Sequence, residues 1–136
     1  MLRTLAAFNF GSSFIQWIQT FYQNISSCVL NNGFSSGPFE IQRGVRQGDP
    51  LSPYLFIIVL EVLAISIRKN KDIQGIVVDG IEIKLELFAD DLTVFLRNDG
   101  SLRHLLALIS KFAICSGLVI NFDKTEVLLL GNSLWL

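Results

Sequence analysis

Apolar residues recur along the chain at two periods, one suited to helices and one to strands. The switches between them mark out four helices and six strands. Residues 2–10 read as a short helix stopped at Gly11, since glycine accepts the left-handed conformation of a helix end. Ser12 or Ser13 offers a cap for a second helix. On it Phe14, Trp17, Ile18 and Phe21 fall on one face, with Gln16 and Gln19 on the other. That stripe is expected to pack in a core, with base stacking as the alternative. Residues 28–31 and 39–43 read as strands, with Asn32-Gly33 and Gly37-Pro38 supplying turn chemistry between them. Ser52 followed by Pro53 is a helix start, a capping hydroxyl before a proline at the first position. The helix over 53–68 is apolar nearly all round and is expected to be central.

Residues 76–78, Asp79-Gly80 and the run from Ile81 predict a hairpin. From there Ile81, Ile83, Leu85 and Leu87 alternate with Glu82, Lys84 and Glu86, so one side of the strand is covered and the other wet. Unbroken alternation puts Asp90 on the polar side and Ala89 toward the core. A return strand follows over 92–96. Asp99-Gly100-Ser101 opens a helix that carries Leu102, Leu105, Leu106, Ile109, Phe112 and Ala113 on one face and ends at Gly117. Residues 118–123 read as an extended connector and 125–130 as a last strand. Antiparallel strands covered on one side by helices predict an α+β fold.

Composition changes this picture in one respect. The chain is 51% hydrophobic, and its mean hydropathy is +0.49. That is high for a free-standing domain and implies apolar faces that expect neighbours. A net charge of −1 leaves no basic footprint of nucleic-acid binding in the bulk numbers. Cys28, Cys115 and His104 are too scattered for a metal-ligand spacing and are expected to be filler. The most apolar stretch, 53–67, contains Glu61 and Ser66 and is too short to span a bilayer, so no membrane is expected.

The chemistry concentrates in two places. Phe88-Ala89-Asp90-Asp91 lies between two strand-like runs. Adjacent carboxylates at a tight bend repel one another unless a positive charge joins them. Mg²⁺ takes oxygen ligands and is commonly held by one or two carboxylates together with substrate phosphates. The second place is Arg43-Gly44-Val45-Arg46-Gln47-Gly48-Asp49-Pro50-Leu51-Ser52-Pro53. Its glycines admit close approach to the backbone, and its arginines suit phosphates or planar groups. The same composition also suits a plain connector with solvated charges.

Together these segments resemble the palm of a reverse transcriptase of the type encoded by non-LTR (LINE-type) retrotransposons. The loop of residues 43–53 is similar to motif B of that group. Phe88-Ala89-Asp90-Asp91 is similar to motif C, the acidic hairpin, and Ser116-Gly117-Leu118 with Asn121 and Lys124-Thr125 to motif D. Order and spacing agree over nearly the whole chain. The resemblance implies a palm-type antiparallel sheet covered on one side by helices. It also implies an RNA template, a DNA primer and a deoxynucleotide as partners, Mg²⁺ as cofactor, and an intracellular setting, nuclear or cytoplasmic. Asp90 would bind metal directly, and Asp91 would be a metal or near-metal carboxylate. Ala89 would lie under the primer terminus. Gln47 and Gly48 would lie beside the incoming nucleotide and template, with Arg46 steadying the loop or a phosphate. Lys124 would give a proton or a positive charge to the departing pyrophosphate.

The chain departs from the family pattern at its start. Motif A, a strand ending in the first metal-binding aspartate, should precede the first helix, yet no acidic residue occurs before Glu40. Residues 1–136 are therefore expected to be a partial domain with motif A, most of the fingers and the thumb outside it, inactive alone. Two other readings stand beside this one: a fragment of a group II maturase-type polymerase, and a non-catalytic palm-like scaffold that binds RNA or protein.

Overall fold

The structure, a computed structural model, describes residues 1–41 and 48–130. Its longest elements are two helices, α3 (Ser52–Lys69) and α4 (Asp99–Ser116), preceded by α1 (Leu2–Ala7) and α2 (Ser12–Tyr22). Eight short strands form four two-stranded antiparallel sheets. β1 (Ser26–Ser27) pairs with β4 (Phe39–Glu40), and between them β2 (Leu30–Asn31) pairs with β3 (Phe34–Ser35). β5 (Ile76–Val78) pairs with β6 (Ile81–Ile83), and β7 (Leu85–Phe88) with β8 (Asp91–Val94). The class is α+β as expected, but these strands pair two by two instead of forming one continuous sheet.

α3 is the common wall of two apolar clusters. Its first half contributes Leu55 to a cluster with Leu5 of α1 and Ile18 of α2. Its second half places Leu63 and Ile67 against Ile73 and against Leu105 and Ile109 of α4. An all-round apolar helix is what such a position needs, since both sides are covered. α4 begins as the sequence suggests. The Asn98 side chain accepts the Ser101 N–H at 2.9 Å, and Gly117 closes the helix in the left-handed region at φ 75°. Buried Ser101 accepts the Gln74 N–H at 2.9 Å and so holds the segment after α3 to the start of α4.

β7 and β8 lean one face on this second cluster. Leu85, Leu92 and Val94 pack against it, while Glu86, Phe88, Asp91 and Thr93 face outward. The alternation does not run unbroken from Ile81. Ile81 and Ile83 are exposed, whereas Lys84 turns inward, its side chain only 11% exposed. The Lys84 ammonium donates to the Asn70 carbonyl at 2.8 Å and the Arg68 carbonyl at 3.3 Å, the open end of α3, and pairs with Glu82 at 3.6 Å. Cations suit the partial negative charge of a helix C-terminus. Close packing also decides Gly75. A Cβ there would stand 2.2 Å from the Ile83 carbonyl oxygen, so only glycine lets β5 lie against β6. A backbone bond from Phe95 to Lys84 (2.8 Å) extends the β7–β8 ladder by one pair, and one from Arg97 to Gln74 (3.0 Å) ties the chain after that hairpin to the segment before β5.

Other local expectations are revised. α1 ends at Phe8, and Asn9 (φ 61°) rather than Gly11 takes the left-handed conformation. Gly11 itself precedes α2, whose first turn has no side-chain cap from Ser12 or Ser13. α2 buries Ile18, with Ile15 and Tyr22 beside it, while Trp17 and Phe21 stand more than 60% exposed. The stripe read as core is thus largely its outer face. Residues 125–130 form no strand, because no described segment offers them a ladder, and residues 127–130 are exposed. The chain exposes 11041 Å². A compact monomer of 15.2 kDa exposes about 7,100 Å² by the usual mass scaling. The excess agrees with the apolar faces inferred from composition.

Two substitutions test this account by urea unfolding. Ile67→Ala should cost about 3 kcal/mol, the range for a buried branched side chain, while Leu128→Ala should change stability by less than about 0.5 kcal/mol. Lys84→Met should cost about 1–3 kcal/mol, because two helix-end carbonyls lose their donor.

Candidate active site

The hairpin of β7 and β8 is built to throw its tip outward. Leu87 pairs with Leu92 and Phe88 with Asp91, which leaves Ala89 and Asp90 as a two-residue loop. Tight hairpin loops demand positive φ in at least one central residue, a need usually met by Gly, Asn or Asp. Here Ala89 meets it, at φ 52°. Every other described non-glycine residue with positive φ is Asn or Asp. The left-handed region costs an alanine roughly 1–2 kcal/mol, and strain of that kind collects at functional sites. Ala89 is exposed in the turn and not directed into the core, because the loop takes it out of the strand alternation.

Asp90 and Asp91 are both exposed. The ion pairs among the described residues are Arg68–Glu61 and Lys84–Glu82, so neither carboxylate is neutralised by a basic side chain there. Their neighbour Phe88 is 82% exposed. The turn therefore presents two adjacent carboxylates and an aromatic ring to solvent. Oxygen-only donors fit a hard cation. The described residues hold no group of three carboxylate, histidine or cysteine side chains that would cage an ion. A pair of this kind suits an ion that takes its remaining ligands from elsewhere, substrate phosphates included.

The other expected residues lie on other segments of the chain. Arg46 and Gln47 lie outside the described residues, with residues 42–45. Gly48 is exposed at φ 84°, just before α3. Lys124 is exposed in a 3-10 turn over Phe122–Lys124, in the segment that follows α4. Asn121 shapes that turn by accepting the Asp123 N–H at 3.1 Å and the Thr125 hydroxyl at 2.7 Å. Ile120 packs against the second cluster and ties this segment to the body.

Sequence reasoning missed a polar knot at the start of α3. Ser52 does not cap the helix; it is the first helical residue and is 2% exposed. No side chain caps α3, and Asp49 instead fastens the residues at its start. Its Oδ1 accepts the Leu51 N–H at 3.1 Å and its Oδ2 accepts the Ser52 hydroxyl at 2.8 Å. The Tyr22 hydroxyl, at the end of α2, donates to the same Oδ2 and lies 3.0 Å from the Ser52 hydroxyl. An aspartate three residues before a helical serine was the available local signal. The tyrosine, 27 residues away, gave none.

Comparison with known proteins gives the family. The family model described as reverse transcriptase (RNA-dependent DNA polymerase) matches residues 1–133, and the chain belongs to that family. It is 35% identical over 121 residues to the Retrovirus-related Pol polyprotein from type-2 retrotransposable element R2DM of Drosophila melanogaster, covering 89% of this chain and 11% of that protein. It is 29% identical over 134 residues to the Transposon TX1 uncharacterized 149 kDa protein of Xenopus laevis, covering 97% of this chain and 10% of that protein. A type-1 retrotransposable element R2 polyprotein of Popillia japonica matches at 40% over 85 residues, 62% of this chain and 12% of its own length. The chain thus spans about a tenth of the length of these curated relatives. It is a reverse transcriptase domain fragment related to non-LTR retrotransposon Pol proteins. No described helix is long and apolar enough to cross a membrane.

The strain at the turn is measurable. Ala89→Gly should relieve the left-handed penalty and, after the extra entropy cost of glycine, raise stability by up to about 1 kcal/mol in urea unfolding. A loss of stability would show that the alanine methyl is packed and not strained.

Proposed function

We propose that this chain carries the acidic hairpin and the nucleotide-facing loop of a retrotransposon RNA-directed DNA polymerase. The parent protein copies RNA into DNA by joining a primer 3′-hydroxyl to the α-phosphate of a deoxynucleotide. The observation that carries the reading is the strained Ala89 turn, which holds Asp90 and Asp91 outward with no basic partner among the described residues. An aspartate pair kept only for structure would be expected to have such a partner or a ladder role on both residues. The β7–β8 hairpin, which leans one face on the cluster built by α3 and α4, would be part of a palm sheet in the parent protein.

In this reading Asp90 binds magnesium directly and Asp91 is a metal or near-metal carboxylate of smaller importance. Two such ions supply Lewis-acid stabilisation of the attacking and leaving oxygens when bound. The protein's own residues position and neutralise. Phe88 and Ala89 set the height of the turn beneath the primer end. Arg46, Gln47 and Gly48 border the nucleotide and template, and Lys124 offers a positive charge or a proton to the departing pyrophosphate. Two carboxylates do not complete the metal site. The missing ligand, motif A, belongs to polypeptide outside these residues, as do the fingers and thumb that grip template and primer.

Primer extension tests the reading. Purified 1–136 should show weak Mg²⁺ affinity and no synthesis; Asp90-dependent synthesis by it would overturn the incompleteness argued above. In the full-length parent protein Asp90→Asn should lower the rate at least about 10³-fold. Lys124→Ala should lower it about 10² to 10⁴-fold if it transfers a proton, and less than the aspartate change in any one series. Equal losses would remove the separate roles.

A further inference from the structure

The end of the loop before α3 is fixed by a side chain that the proposed chemistry does not use. Gly48 has no conformational preference of its own, so its orientation is borrowed from its neighbours. Its next neighbour, Asp49, is held by several bonds. The carboxylate accepts the Leu51 N–H at 3.1 Å, the Ser52 hydroxyl at 2.8 Å and the Tyr22 hydroxyl, and the Asp49 carbonyl accepts the Ser52 N–H at 3.2 Å. The Leu51 and Ser52 contacts are local and serve only the start of α3. The Tyr22 bond is long-range, from a ring that packs against the Leu5–Ile18–Leu55 cluster. It fixes the loop to α2 as well as to α3.

We infer that Tyr22 and Asp49 are positioning residues for nucleotide binding. Through the Tyr22–Asp49 bond, α2 sets the backbone of Gly48, the residue placed beside the incoming deoxynucleotide. The inference rests on the reverse transcriptase reading of that loop. Neither side chain touches the reacting atoms. A carboxylate that accepts from several donors has few rotamers left, so the peptide unit it shares with Gly48 is held in one orientation. A deoxynucleotide then meets a loop already shaped for it and does not spend binding energy on ordering it.

Tyr22→Phe is the discriminating variant, since the ring and its packing remain and one hydroxyl is lost. In the full-length parent polymerase the KM for deoxynucleotide should rise roughly tenfold, the ratio given by one hydrogen bond to a charged group. The turnover number should stay within about threefold of the unsubstituted protein, because the bond acts on binding and not on the reacting atoms. Asp49→Asn should raise KM at least as much. In the chain of 136 residues, hydrogen exchange in Tyr22→Phe should quicken at the Leu51 and Ser52 amides and stay unchanged over Leu105 to Ile109. An unchanged KM with lowered thermal stability would make the knot a fastening of the start of α3 only and overturn the inference, leaving the polymerase reading intact. Absence of Asp90-dependent extension in the unsubstituted parent would remove both.

Discussion

The packing of α3 against two clusters is the constraint on which the rest depends. Leu55 lies in one cluster and Leu63 and Ile67 in the other, and no buried residue belongs to both. An 18-residue helix is about 27 Å long at 1.5 Å per residue, long enough to serve both. α1 and α2 are therefore related to the β7–β8 hairpin and α4 largely through one rigid rod. Polar groups fasten the rod at both ends, Asp49 and Tyr22 at the start and Lys84 at the finish. The loop implicated in nucleotide binding runs into the first end. The strand that leads to the acidic turn leaves from the second.

This arrangement accounts for how a short, apolar chain can present a polar turn with a defined shape. Leu85, Leu92 and Val94 anchor one face of the hairpin on the core. With the strands held, the two-residue connection between Phe88 and Asp91 has few conformations that close it, and Ala89 is forced into one that alanine disfavours. Burial of the strand side chains offsets that penalty. The carboxylates that follow remain in solvent and avoid the cost of burial.

The surface adds a second theme. Residues 4–39 contain no Asp, Glu, Lys, Arg or His, and their exposed members include Trp17, Phe21, Leu30 and Phe34. Charge depletion with aromatic enrichment is the composition of protein interface cores. It does not suit phosphate binding, which draws on Lys and Arg. This charge-free stretch lies apart in sequence from the acidic pair Asp90 and Asp91.

The sequence by itself determined the two long helices, the Asn32-Gly33 and Asp79-Gly80 turns, the acidic pair and the family, because each is written in neighbouring residues: a Ser-Pro start or apolar spacing, an Asn-Gly or Asp-Gly step, a run of motif letters. Tertiary structure alone decided which face of each element is covered. The helical spacing of Phe14, Trp17 and Phe21 looks like a core stripe, yet α1 and α3 reach the Ile15–Ile18–Tyr22 side instead. Lys84 sits in a polar series by position but is drawn inward by the open carbonyls of α3. The apolar run over 125–130 has the letters of a strand and no ladder to join among the described residues. Periodicity fixes the spacing of side chains along one element; burial and pairing depend on a second surface, and no single element encodes where that surface lies.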